Sequence, residues 1–323
     1  MSRLPLLAVA CTCVVLSGCG SQKPAGKPTT TSSVSGGATG NLSFALCPKN
    51  LNNAFWRTVE QGMKAKATEL GASASMVAPV EADAAKQVSM IEGVIAKGSS
   101  GIGIAPNDPD SVAGVIAEAT KKGIPVITFD SDAPKSGRLC YVGTDNTAAG
   151  AAAGQAMVKE LGGKGSVIIV TGGLGALNLN QRVKGFTDVV KAAGIKIIGS
   201  PMACNDDQTV ADRLVEDALT ANPGVSGIYC TGPWTYAAGN IIKNKGLSGK
   251  VKVVGFDTLE PELQLVKDGA IQALIGQRPR EMGEKSIEIL YNLSKGKKPA
   301  KEIIGTGIDV VTKANIDNFL GKN

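Results

Sequence analysis

Residues 101–130 read GIGIAPNDPDSVAGVIAEATKKGIPVITFD. An apolar run at 101–105 is followed by Pro106-Asn107-Asp108, then by residues 112–122 with apolar spacing near 3.6, then by a second run, 124–129, that ends on Asp130. Runs without two-residue alternation belong to strands covered on both faces, and strands of that kind alternating with helices form parallel sheets. The cadence extends in both directions. Apolar runs recur at 42–46, 73–77, 166–170, 195–198, 227–230, 251–256 and 271–275, and helical spacing at 55–70, 84–96 and 209–219. Right-handed crossovers then give a doubly wound α/β architecture. About ten strands are too many for one compact domain of usual size, so two Rossmann-like lobes are expected. Thr144-Asp145-Asn146, ahead of the small-residue helix start at 147–156, is the natural passage between them.

The chain has 323 residues, 43% hydrophobic and 19% charged, with a net charge of +6 and no His. The apolar fraction is that of a folded protein with a large core. Without His there is no Ser-His-Asp or Cys-His relay, no His general base and no His-ligated zinc. Lys and Arg are interleaved with Asp and Glu rather than gathered in a block, which speaks against nucleic acid as a partner. No cofactor or metal site is expected. Gly172-Gly173-Leu174-Gly175 lacks the third glycine of a dinucleotide loop and an acidic residue about 20 positions on.

The first 40 residues read as an address and a tether. Arg3 precedes a short apolar run, and Ser17-Gly18 leads into Cys19. The run is too short to span a bilayer as a mature helix and fits a secretory signal over 1–18. Leu16-Ser17-Gly18-Cys19 resembles the lipobox of bacterial lipoproteins, in which the Cys becomes the acylated first residue. Residues 20–40, GSQKPAGKPTTTSSVSGGATG, hold one large apolar side chain, Val34, and are expected to form a flexible linker. The reading is thus an exported protein, held at a periplasmic or cell-surface membrane only through Cys19. Four further cysteines, Cys47, Cys140, Cys204 and Cys230, flank predicted strands and are expected to be mostly buried free thiols.

In doubly wound sheets ligands bind beyond the carboxyl ends of the strands. The residues there are 49–56, 106–108, 130–132, 172–182, 205–207, 231–236, Asp257 and Gln277. They are rich in Asn, Asp and Gln, and they include both Trp residues of the chain, Trp56 and Trp234. Bidentate polar groups beside flat apolar faces suit a polyhydroxylated ring such as a sugar. About half of these Asn and Asp residues are expected simply to cap the following helix. Asp206-Asp207 fits either an acid–base pair or a cap.

Five motifs carry a family resemblance in order: Leu51-Asn52-Asn53-Ala54-Phe55-Trp56, residues 123–130, Tyr141-Val142-Gly143-Thr144-Asp145-Asn146, residues 181–186, and Val253-Val254-Gly255-Phe256-Asp257. From about residue 42 to the end the chain resembles the ribose-binding branch of the type I periplasmic sugar-binding proteins. The resemblance implies a two-lobed receptor that delivers a solute to an ABC importer permease and, in some members, to a chemoreceptor, without enzymatic activity. It implies lobes of 41–145 plus 278–305 and 146–277 plus 306–323, joined by three crossings near Asn146, Gln277 and Gly305. It also implies sugar contacts from Asn53, Phe55, Trp56, Asp130, Arg182, Asp257 and Gln277. Ser131 stands where ribose receptors have Arg, Asp206 where they have an aromatic, and Trp234 within a segment replacing an Asn-Asp pair. The implied ligand is therefore a monosaccharide or small polyol rather than ribose in particular. The alternative is a chemosensory or quorum-signal receptor for a furanosyl molecule on the same fold.

Overall fold

The computed structural model describes residues 42–321. The signal segment 1–18, Cys19 and the whole linker 20–40 fall outside those residues. Strands and helices alternate as β1 (Ser43–Cys47), α1 (Phe55–Glu69), β2 (Ser73–Met76), α2 (Ala84–Ala96), β3 (Gly101–Ile104), α3 (Ala113–Lys121), β4 (Val126–Phe129) and β5 (Tyr141–Gly143). Then follow α4 (Asn146–Leu161), β6 (Ser166–Thr171), α5 (Leu177–Ala192), β7 (Lys196–Ile197), β8 (Met202–Ala203), α6 (Gln208–Ala221), β9 (Gly227–Cys230), α7 (Thr235–Asn244), β10 (Lys252–Phe256), α8 (Glu260–Lys267) and β11 (Ala273–Gly276). The chain ends with α9 (Pro279–Ser294), β12 (Ile303–Gly305), β13 (Asp309–Thr312) and a 3-10 turn, Ile316–Asn318.

Two sheets result, ordered β12-β5-β4-β3-β1-β2 and β13-β11-β10-β9-β6-β7, with β8 also on β6. Every pairing is parallel except β13 on β11, a departure from the all-parallel expectation. The exception follows from the path: β13 comes from β12 in the other sheet, with no helix to carry it round. The chain changes sheet three times, after β5, after β11 and between β12 and β13. After β11 it runs into α9, which packs on α1.

Alternate residues of each strand feed the helical layer on opposite faces, as the two-residue repeat requires. Phe44 and Leu46 pack beneath α1 and α9, whereas Ala45 and Cys47 pack beneath α2 and α3. In the second sheet Ile168 and Val170 face α6 and α7, whereas Val167 and Ile169 face α4 and α5. Asp83, Asp145 and Asp207 cap α2, α4 and α6, accepting from the N–H groups of Lys86, Ala148 and Val210. The four cysteines are buried and free, in keeping with the sequence reading. Burial pushes the Cys47 and Cys204 thiols up to about 12.

Both sheets carry one helix pair in backbone contact. In α1 and α9 a Cβ on Gly62 would collide with the carbonyl of Arg280, and one on Gly283 with that of Val59. In α4 and α5 a Cβ on Gly150 would collide with the carbonyl of Arg182, and one on Gly185 with that of Thr147. Helix propensity favours Ala over Gly by roughly 1 kcal/mol, but overpacking against backbone costs about 1–3 kcal/mol. Gly93 on α2 has open space around its Cβ position. Gly93→Ala should therefore raise stability by about 0.5–1 kcal/mol, while Gly150→Ala lowers it by about 1–2 kcal/mol. Denaturant unfolding checks this: equal effects at the two positions would show that the α4–α5 contact can yield.

Candidate functional site

The carboxyl ends of β1, β4, β6, β9, β10 and β11 converge on one polar cluster. At its centre lies Arg182, on α5 and buried. Its Nε donates to Asn146 Oδ1 (2.8 Å), Nη1 to the Thr231 carbonyl (2.9 Å) and Nη2 to Gln277 Oε1 (2.7 Å). The guanidinium lies over the Phe256 ring, 4.1 Å from its centroid. A guanidinium has five N–H groups, so two are left over. Gln277 Oε1 also accepts from Thr144 Oγ1 (3.0 Å), and its Nε2 donates to Asp257 Oδ1 (2.8 Å).

A second group joins the loop after β1 to α5. Lys49 Nζ donates to Asn178 Oδ1 (2.7 Å) and lies 3.6 Å from Asp130 Oδ2, which accepts from Asn178 Nδ2 (3.1 Å). Asn50 Nδ2 reaches Asp206 Oδ2 at 3.5 Å. These bonds close the two halves directly on each other.

Backbone conformation aims the carboxylates. Among the described residues the non-glycine positions with left-handed φ are Asp130 (57°), Asn205 (52°), Asp206 (60°) and Asp257 (71°). Each such position costs on the order of 1 kcal/mol, and Asp and Asn bear it best. Asp130, Asp206 and Asp257 all line one inner cavity with Asn53, Phe55, Trp56, Arg182, Trp234 and Gln277. Gly172 makes room for this arrangement, because a Cβ there would strike both the Asp206 carboxylate and the Trp234 ring.

The inner cavity holds only about 30 Å³, close to one water. An adjoining outer cavity of about 400 Å³ shares Asn53, Asp206, Pro233 and Trp234 with it. The aromatics stand edge to face: Phe55 on Trp56 at 5.0 Å and Trp56 on Phe129 at 6.0 Å. Trp234 Nε1 donates to the Val170 carbonyl (3.1 Å), whereas Trp56 Nε1 is buried without a hydrogen-bond partner. Burial lifts the Asp257 carboxyl to about 6, against the pull of Arg182 and Gln277. Burial also raises Asp206, whose Oδ1 is shielded and unpartnered. In the outer cavity Glu262 is 2% exposed, its Oε2 has no partner, and burial pushes it up to about 8.

Nine of the ten ligand candidates read from sequence thus meet at one cavity. Ser131 does not line it: its side chain is wholly buried beside Asp130 and its Oγ has no partner. The left-handed turn at Asp130 sends that carboxylate inward and its neighbour away. The pair Asp206-Asp207 divides its roles, Asp207 capping α6 and Asp206 facing the cavity. Asp132 is occupied by Arg138 through two bonds of 2.8 Å. Lys49, Asn178 and Glu262 were not singled out by sequence. Position after a strand was the available signal for the first two, and for Glu262 there was none. Among the described residues no group of His, Cys, Asp and Glu could hold a metal ion.

The match of residues 44–298 to the periplasmic binding protein domain places the chain in that family. The ribose import binding protein RbsB of Haemophilus influenzae is 30% identical over 270 residues, 84% of this chain and 91% of that protein. The D-allose-binding periplasmic protein of Escherichia coli is 31% identical over 79% of this chain and 85% of its own length. Among solved structures, an ABC transporter solute binding protein from Burkholderia graminis in complex with D-arabinose shares 36% identity. It superposes with a TM-score of 0.82, covering 86% of this chain and 98% of that one.

The buried Glu262 has a measurable consequence. Its folded value of about 8 lies above the usual 4.5, so the fold favours the neutral acid. The stability this gives is complete below about pH 4.5 and is lost as pH rises through 8. Glu262→Gln keeps the shape without the ionisation. Its stability relative to the parent should therefore rise between pH 5 and 9, by about 1–3 kcal/mol. Urea unfolding across that range checks it; a pH-independent difference would mean that Glu262 ionises freely.

Proposed function

We propose that this chain captures a monosaccharide or small polyol between two closing lobes and hands it, chemically unchanged, to an ABC importer permease. The observation that carries the reading is the set of residues around the inner cavity, which widens to take a ring when the bonds of Asn178 to Lys49 and Asp130 part. Three carboxylates held in left-handed backbone, an arginine with spare N–H groups, and two tryptophans surround it. Carboxylates bracket neighbouring hydroxyls, guanidinium N–H groups donate to ring or hydroxyl oxygens, and aromatic faces cover C–H surface. The buried charges are largely matched within the protein, Lys49 by Asp130 and Arg182 by neutral acceptors with Asp257 nearby. An uncharged polyol leaves that balance intact. The relatives named for ribose and allose, and the solute binding protein solved with D-arabinose, support the same class.

Ligand contacts come from Asn53, Phe55, Trp56 and Asp130 on one side and Arg182, Asp206, Trp234, Asp257 and Gln277 on the other. The lobes comprise 41–145 plus 278–305 and 146–277 plus 306–323. A ligand touching both sets binds the closed form better and shifts the equilibrium toward it. The permease then reads closure as occupancy. Attachment through an acylated Cys19, with a linker of about 25 Å mean reach, keeps the receptor near that permease after export. The site does no chemistry on the sugar in this reading.

Calorimetry with the aldopentoses and aldohexoses tests it. Asp257→Ala should weaken the best ligand by about 1.5–3 kcal/mol, the cost of stripping hydrogen bonds from a desolvated site. Unchanged affinity removes Asp257 from the contact set, and a sugar recovered altered removes the receptor reading itself. In a Trp56→Phe background, Trp234 emission should shift at saturation; silence would return Trp234 to packing alone.

A further inference from the structure

We infer that the ligand extends beyond one ring, and that the outer cavity is a subsite for a second sugar unit glycosidically joined to the unit in the inner pocket. This rests on the reading of the inner pocket as a sugar site. Closure is already tight at the inner pocket: Lys49, Asn178 and Asp130 bond across it, and about 30 Å³ remains. In the same conformation the adjoining cavity keeps about 400 Å³, within the size range of small-molecule sites. A ring needs several times the inner volume and enters only as those bonds part, and a lone ring there still leaves the adjoining cavity to solvent.

The walls of the outer cavity have the chemistry of a carbohydrate site. Pro233, Trp234 and the half-open Tyr236 make an apolar side against which a ring's C–H face packs. Glu262 supplies the polar side. It is almost wholly buried, and its Oε2 has no hydrogen-bond partner. A buried oxygen without a partner is destabilising, and a ligand hydroxyl satisfies it whether the acid donates or accepts. Asn53, Asp206 and Trp234 belong to both cavities, so a linked ligand can run from one to the other without leaving the protein surface.

The experiment compares each aldopentose and aldohexose with its reducing disaccharides, and with its α- and β-phenyl glycosides as ring-sized apolar probes. Calorimetry reads the ratio of affinities. The inference expects a disaccharide to bind at least tenfold more tightly than the free sugar of its inner unit. Thr209→Trp, which places bulk at the cavity wall, should bring that ratio close to one, and Glu262→Leu, which removes both donor and acceptor, should lower it severalfold. Phenyl glycosides should gain less than the disaccharide, because they offer Glu262 no hydroxyl. A free sugar that binds as well as its disaccharide in the parent protein overturns the subsite while leaving the monosaccharide reading in place. The same holds if Thr209→Trp leaves a tenfold ratio untouched. Failure of every free and linked sugar to bind overturns both.

Discussion

A buried guanidinium is the constraint around which this molecule is arranged. Arg182 sits where water cannot solvate it, so its N–H groups must find acceptors supplied by the protein. Those acceptors lie on Asn146, at the first passage between sheets, on Gln277, at the second, and on the Thr231 carbonyl at the end of β9. One charge therefore holds two of the three chain crossings and a pocket loop in register. The close contact of α4 with α5 serves the same end, because the glycine at 150 lets the Arg182 backbone approach α4. Packing in the helical layer and polarity in the cleft are two sides of one placement.

Around that centre the pocket relies on backbone that most residues would resist. The left-handed positions among the non-glycine residues fall on Asp130, Asn205, Asp206 and Asp257, and nowhere else in residues 42–321. Sheets end there, and the turn that ends each strand also rotates an acid into the cavity. Strain of this kind persists where surrounding structure fixes it. Here the fixing comes from Gln277 on Asp257 and from Asn178 with Lys49 on Asp130. Asp206 has less support, its side-chain bond from Asn50 being long.

Most of the architecture could be read in the chain because long apolar runs mark strands buried on both faces. The runs at 42–46, 101–105 and 251–256 fall on β1, β3 and β10 within a residue or two. The strands not read, β5, β8, β12 and β13, are two to four residues long. β8, β12 and β13 lack a long apolar run, and in β12 Ile303 is largely exposed, while the short run 139–142 under β5 reads no differently from a buried loop. The site was legible where a polar residue directly follows a strand, as at Asp130 and Asp257. Lys49 looks like any surface lysine until the fold brings Asp130 and Asn178 to it, and Glu262 looks like an ordinary first-turn acid of α8. Ser131 shows the opposite limit: it directly follows Asp130 in sequence, yet it is buried apart from the residues that line the cavity.

The cysteines draw a last consequence from the packing. Cys47, Cys140, Cys204 and Cys230 each serve as small apolar filler in a strand or its end, with thiols held far from ionisation. The thiolate is the species that exchanges and oxidises. Among the described residues, the folded protein thus offers an oxidant or a disulfide no ready thiolate. Protection is thus a property that these four positions acquire only once the strands around them have closed.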